Sequence, residues 1–121
     1  MIVDDSEELL DVMQIILERN GYEVLIRNSA TGLSEFIQTK TIDLLLLDVI
    51  LNGGNGRDLC KQLKSDRQTA YFPIILMSAT PQLLHNLDQC IADDHINKPF
   101  DISLLLDKVG KILSLKDHTT T

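Results

Sequence analysis

Five polar residues stand where short strand-like segments end: Asp4 and Asp5 after "MIV", Asp48 after "DLLLL", Ser78 after "PIILM" and Lys98 after "DHIN". Three carboxylates brought together repel one another and call for a hard divalent cation, and Mg²⁺ accepts a few carboxylates with water completing its octahedron. A metal held there screens Asp48 from an incoming phosphoryl group. Once Asp48 carried that group, its oxygens would need positive and hydrogen-bonding partners, which Mg²⁺, the Lys98 ammonium and the Ser78 hydroxyl could supply. The set therefore suits phosphoryl transfer to a carboxylate.

The elements that must position these groups follow from periodicity. "MIV" reads as a strand, and the helix after it, closing at Gly21, places Leu9, Val12, Met13, Ile16 and Leu17 on one face. "YEVLI" reads as a strand and "SATGLSEFIQT" as a helix with Ala30, Leu33 and Ile37 inward. "DLLLLD" is too continuously apolar for a strand with a wet side. A loop through Gly53, Gly54 and Gly56 leads to a helix carrying Leu59, Cys60 and Leu63. Strand "PIILM", helix "PQLLHNLDQCI", strand "DHIN" and helix "ISLLLDKVGKILSL", with Leu105, Val109, Ile112 and Leu113 inward, complete the alternation. Five strands separated by helices imply right-handed crossovers and hence an α/β, doubly wound parallel sheet covered on both faces. In such a sheet the strand C-termini share one edge, where ligands bind at the switch in strand order. That edge collects Asp4, Asp5, Asp48, Ser78 and Lys98.

Each residue alone has a plainer explanation. Asp5 with Glu8 fits a capping box, and Asp4 a carboxylate favoured by the helix dipole. Asp48 could end a strand, Ser78 cap a helix and Lys98 lie in a solvated loop. Each of these accounts for one strand end only, whereas one site accounts for all of them.

Composition sets the outer bounds. The 121 residues fit one domain, and 44% apolar with 24% charged residues is typical of soluble globular proteins. A formal charge of −7 disfavours nonspecific binding to nucleic acid or anionic lipid. No apolar run approaches bilayer length and no leader opens the chain, so a cytoplasmic protein is expected, with Cys60 and Cys90 as reduced core residues. His85, His95 and His118 lie on different elements and form no plausible metal cluster. The glycines at 53, 54 and 56 lack the Lys-Ser/Thr of a P-loop. The domain is expected over residues 1–116, with 117–121 a polar tail.

The segments "IVDDSEELL", "LLLLDVILNGGNGRDL", "PIILMSA" and "INKPF" resemble, in order and spacing, the receiver domain of bacterial two-component response regulators, over essentially the whole chain. The resemblance implies a flavodoxin-like (βα)5 fold with sheet order 2-1-3-4-5. It also implies a signalling domain that turns over no separate substrate and takes phosphate from a sensor histidine kinase or a histidine phosphotransfer protein. By the same resemblance Asp48 is the phosphoacceptor, Asp5 a direct Mg²⁺ ligand, Asp4 a ligand mainly through water, and Ile50 a ligand through its backbone carbonyl. Ser78 corresponds to the switch hydroxyl and Lys98 to the lysine that contacts the phosphoryl group. The family's output surface, its fourth helix, fifth strand and fifth helix, would meet a downstream effector or a second copy of the chain.

Several positions depart from the family pattern. Leu51 and Asn52 replace the usual Met-Pro, His95 stands at the aromatic switch position, and Ile91-Ala92 replaces Gly-Ala in a segment about two residues short. An apolar Ile50, with Thr80 opposite it beside the path of attacking water, implies slow self-hydrolysis. Two rival readings are a pseudo-receiver that takes no phosphate and a Mg²⁺-dependent aspartyl phosphatase. The second would need an Asp-x-Asp pair, and Ile50 stands where its second acid belongs.

Overall fold

The structure, a computed structural model, describes residues 1–51, 54–79 and 92–119, with the side chains of the last helix described through residue 114. Its centre is β3 (Leu45–Asp48), which lies between β1 (Ile2–Val3) and β6 (Ile74–Ser78). Adding β2 (Ile26–Arg27) and β7 (Asp94–Asn97) gives the parallel order β2-β1-β3-β6-β7. Counted within the sheet, this is the expected order 2-1-3-4-5. The order reverses at β1, so the crevice above β1 and β3 is the switch point.

The leucine run is explained by the two faces of β3. Leu45 and Leu47 pack with Leu33 and Ile37 of α2 (Leu33–Gln38) and with Leu59 and Leu63 of α3 (Gly56–Ser65). Leu46 points the other way, with Leu10, Met13 and Leu17 of α1 (Glu7–Arg19) and Leu105 and Val109 of the last helix (Ile102–Thr119). Burial of each leucine contributes about 1.5–3 kcal/mol, so the strand can hold its terminal carboxylate where hydration is poor.

Local chemistry moves some boundaries. In α1 the inward stripe is Leu10, Met13 and Leu17, and the expected Val12 is exposed. Leu9 and Leu10 both fit a 3.6-residue period, and only packing against the sheet selects Leu10 as the buried one. The second helix is shorter than expected because Gly32 adopts a left-handed conformation (φ 67°) at its N-cap. Residues 22–25 are not paired as a strand; only Ile26 and Arg27 join β1. A short antiparallel pair, β4 (Ile50–Leu51) with β5 (Gly54–Asn55), occupies what reads in sequence as a glycine loop. The last helix continues to Thr119, into the segment expected as a tail. Cys60 is fully buried, as expected, but disulfide-bonded, which corrects its reading as a reduced thiol. Periodicity places a sulfur inside without revealing what packs beside it. The expected helix "PQLLHNLDQCI", with His85, Cys90 and Ile91, and residue Thr80 lie outside the described residues.

Candidate functional site at the strand C-termini

Asp48 ends β3 and is 6% exposed; Asp4 follows β1 and is fully buried. Asp5, next in the chain, is exposed. One carboxylate oxygen from each of Asp4, Asp5 and Asp48 lies within 4.8 Å of the other two. The Lys98 ammonium projects among them, in a short contact with Asp4 and 3.3 Å from Asp48 Oδ2. Ser78 is buried at the end of β6, and its carbonyl accepts the Lys98 backbone N–H at 2.8 Å. Five sequence-selected residues are thus gathered at one edge. Ile50, exposed at the start of β4, donates its backbone N–H to the Asp48 carboxylate. His95 lies apart from this group, exposed on the edge strand β7 opposite Leu76.

The local fold holds each carboxylate. The Ser6 backbone N–H donates to Asp4 Oδ1 at 2.9 Å, and the Ser6 hydroxyl caps α1 by accepting the Leu9 N–H at 3.3 Å. Ser6, not Asp5, is therefore the cap, and the helix does not need Asp5 for that purpose. The tight turn Asp4-Asp5-Ser6 directs one acid inward and the next outward.

The electrostatics of Asp48 are a contest. Burial raises its pKa above the ordinary 3.8, the neighbouring Asp4 charge raises it further, and Lys98 and the Ile50 N–H pull it down. The carboxylate cluster already requires a cation, and the Lys98 ammonium supplies one. Hard oxygen donors at this spacing fit a small divalent ion as well.

Sequence reasoning missed the role of Gly56. A Cβ there would lie 2.0 Å from the Asp48 carbonyl oxygen and 2.8 Å from Val49 Cα. The Gly56 N–H also donates to Val49 O at 2.7 Å. The helix N-terminus thus sits directly against the backbone of the strand end, and only glycine permits that approach. A glycine eight residues beyond a strand-end acid, opening a helix, was the available signal.

Residues 1–110 match the response regulator receiver domain, and the chain belongs to that family. It is 33% identical over 118 residues to the alkaline phosphatase synthesis transcriptional regulatory protein PhoP of Bacillus subtilis, covering 93% of this chain and 47% of that protein. The heme response regulator HssR of Staphylococcus saprophyticus is 28% identical over 115 residues, covering 93% and 50%. The chain thus spans about half the length of these curated relatives. Among solved structures, the receiver domain of a signal transduction histidine kinase from Syntrophus aciditrophicus superposes with a TM-score of 0.85 at 30% identity, covering 93% of this chain and 87% of that one. A CheY-like receiver domain protein from Methanospirillum hungatei gives 0.85 at 28%, covering 98% and 94%. The protein is a receiver domain of two-component signalling.

Proposed function

We propose that Asp48 accepts a phosphoryl group from a phosphohistidine of a sensor kinase or histidine phosphotransfer protein. The observation that carries this reading is the meeting of Asp4, Asp5 and Asp48 around the Lys98 ammonium. An ionised oxygen of Asp48 attacks phosphorus, the bond from phosphorus to the imidazole nitrogen breaks, and the imidazole leaves with that electron pair. Lys98 favours the ionised carboxylate beforehand and offsets charge on the phosphoryl oxygens afterwards. Mg²⁺, held by Asp5 and Asp48, by Asp4 largely through water and by the Ile50 carbonyl, would supply the remaining positive charge.

The response follows from the chain's own linkages. The Ser78 hydroxyl is the switch group, and its backbone is tied to Lys98. Phosphate stabilises the arrangement in which Ser78 and the loop after β6 close on the site, shifting a population between two states. The receiver domain comprises residues 1–116 and works in the cytoplasm. Its output surface includes β7 with His95 and the last helix, where Ile102 and Leu104 are exposed for contact with an effector or a second copy. Among the described residues no helix is long and apolar enough to cross a membrane.

Intact-mass spectrometry after incubation with acetyl phosphate, with and without Mg²⁺, tests the reading on this chain and on Asp48→Asn. The expected result is one Mg²⁺-dependent phosphate adduct that Asp48→Asn abolishes. A folded chain with neither adduct nor Mg²⁺ binding would instead be a pseudo-receiver.

A further inference from the structure

Helix α1 turns Leu10, Met13 and Leu17 into the core, so charged and polar residues belong on the side that faces away from the sheet. The outermost line of that side is instead Glu8, Val12, Ile15 and Arg19, all exposed, with Val12 at 50% and Ile15 at 51%. At about 100° per residue these four fall within a wedge of about 60°, almost directly opposite the buried stripe. Helix formation does not account for Val12 and Ile15, because β-branched residues are weaker helix formers than unbranched ones. Nor are the two end charges used within the chain. Among the described residues Glu8 and Arg19 form no ion pair and no side-chain hydrogen bond.

The line is palindromic. Residues 8 and 19 lie equally far from a point between Met13 and Gln14, about 8 Å along the axis on either side, and residues 12 and 15 equally far from it at about 2 Å. A two-fold axis through that point and across the helix lays a second α1 antiparallel on the first. Glu8 then meets Arg19 of the other copy, Val12 meets Ile15, and every pair occurs twice, as in any isologous contact. We infer that the outer face of α1 is a homodimer contact whose occupant is a second copy of this chain in that antiparallel register.

Charge complementarity selects both the occupant and its direction. A parallel second copy would set Glu8 on Glu8 and Arg19 on Arg19, whereas the antiparallel one satisfies both charges around an apolar centre. A foreign helix would have no use for the symmetry. Beside the line, Leu9 and Ile16 are half-buried and widen the apolar strip on one flank, while Asp11 and Glu18 stand exposed on the other and would meet their counterparts at the rim. That repulsion, with a formal charge of −7 on each chain, keeps the association weak and concentration-dependent. The face belongs to a different helix from the proposed output surface, so the contact does not call on the Asp48 switch.

Sedimentation velocity of the chain from about 10 μM to about 1 mM, without phosphodonor, reads the dimer directly. Glu8→Arg and Arg19→Glu each place two like-charge pairs in their own homodimer, and each should move the monomer–dimer midpoint about tenfold higher in concentration. An equimolar mixture of the two variants should return to the parent midpoint, because each chain then supplies the charge that the other lacks. A helix merely weakened by its altered end charge would not recover on mixing, and Tm of each variant shows that it is folded. Ile15→Lys should remain a monomer throughout. A mixture no better than its components would overturn the antiparallel register. A parent chain still monomeric at about 1 mM would overturn the homodimer and leave the face to a foreign helix. Neither outcome bears on labelling at Asp48, which is measured separately.

Discussion

The two ends of β1 and β3 bury charge in opposite ways. At the C-terminal end, Asp4 and Asp48 share the Lys98 ammonium, and Asp4 also accepts the Ser6 N–H. At the N-terminal end, the Met1 amino group meets a single backbone carbonyl, with the Asp43 charge nearby. Burial disfavours the charged form at both, raising Asp48 and lowering Met1. The difference is compensation. A buried charge surrounded by opposite charge is largely compensated, whereas a buried charge opposite one dipole remains a cost to the fold.

The strongest way to break this comparison is to remove the shared cation. Lys98→Met leaves Asp4 and Asp48 facing each other in a buried place, and urea denaturation at pH 7 should show a loss of about 3 kcal/mol. Mg²⁺ should recover part of it in a titration of Tm, more in the variant than in the parent chain. Gly56→Ala comes next, at about 2–3 kcal/mol, because its Cβ must push the Asp48 backbone aside. Acetyl phosphate labelling, followed by intact mass while the variant is still folded, should fall together with stability; full labelling would show that the close approach is only a packing feature.

Asp48→Asn sharpens the comparison from the other side. A raised carboxyl pKa means that the stability gained from protonation is complete below the unfolded value of 3.8 and is lost as pH rises through the folded value. The asparagine variant should therefore be more stable than the parent at pH 7, with the gap closing as pH falls towards 3.8. Denaturation midpoints across that range measure it, and a constant gap would mean that the Asp48 charge is not the cause. The smallest effect belongs to Ser6→Ala, about 1 kcal/mol for the lost cap, with Asp4 still held through the Ser6 backbone N–H.

The sheet and the site edge were legible because the three acids and Ser78 follow apolar runs whose burial is unambiguous, while Lys98, after "DHIN" with only Ile96 buried, was placed by the alternation of elements. Asp48 after four leucines is the clearest case. Details set by close approach were not legible. The β4–β5 pair forms from "IL" and "GN", too short for any period to register. Asp5 and Ser6 are both good caps, and only the inward turn of Asp4 decides between them. Residues 22–25 carry strand-forming side chains, but pairing needs a neighbour, and propensity cannot tell whether one is present.

The backbone bond from Lys98 N–H to Ser78 O joins, through a single residue, the ammonium at the acid cluster and the buried hydroxyl at the end of β6. Its consequence is spectroscopic. The Lys98 amide belongs to the residue that carries the ammonium and bonds the carbonyl of the residue that carries the hydroxyl, so one crosspeak in a nitrogen-15 correlation spectrum samples both. Its chemical shift will follow bond length to Ser78, and its titration with Mg²⁺ or phosphodonor will time the switch without any label attached to the protein.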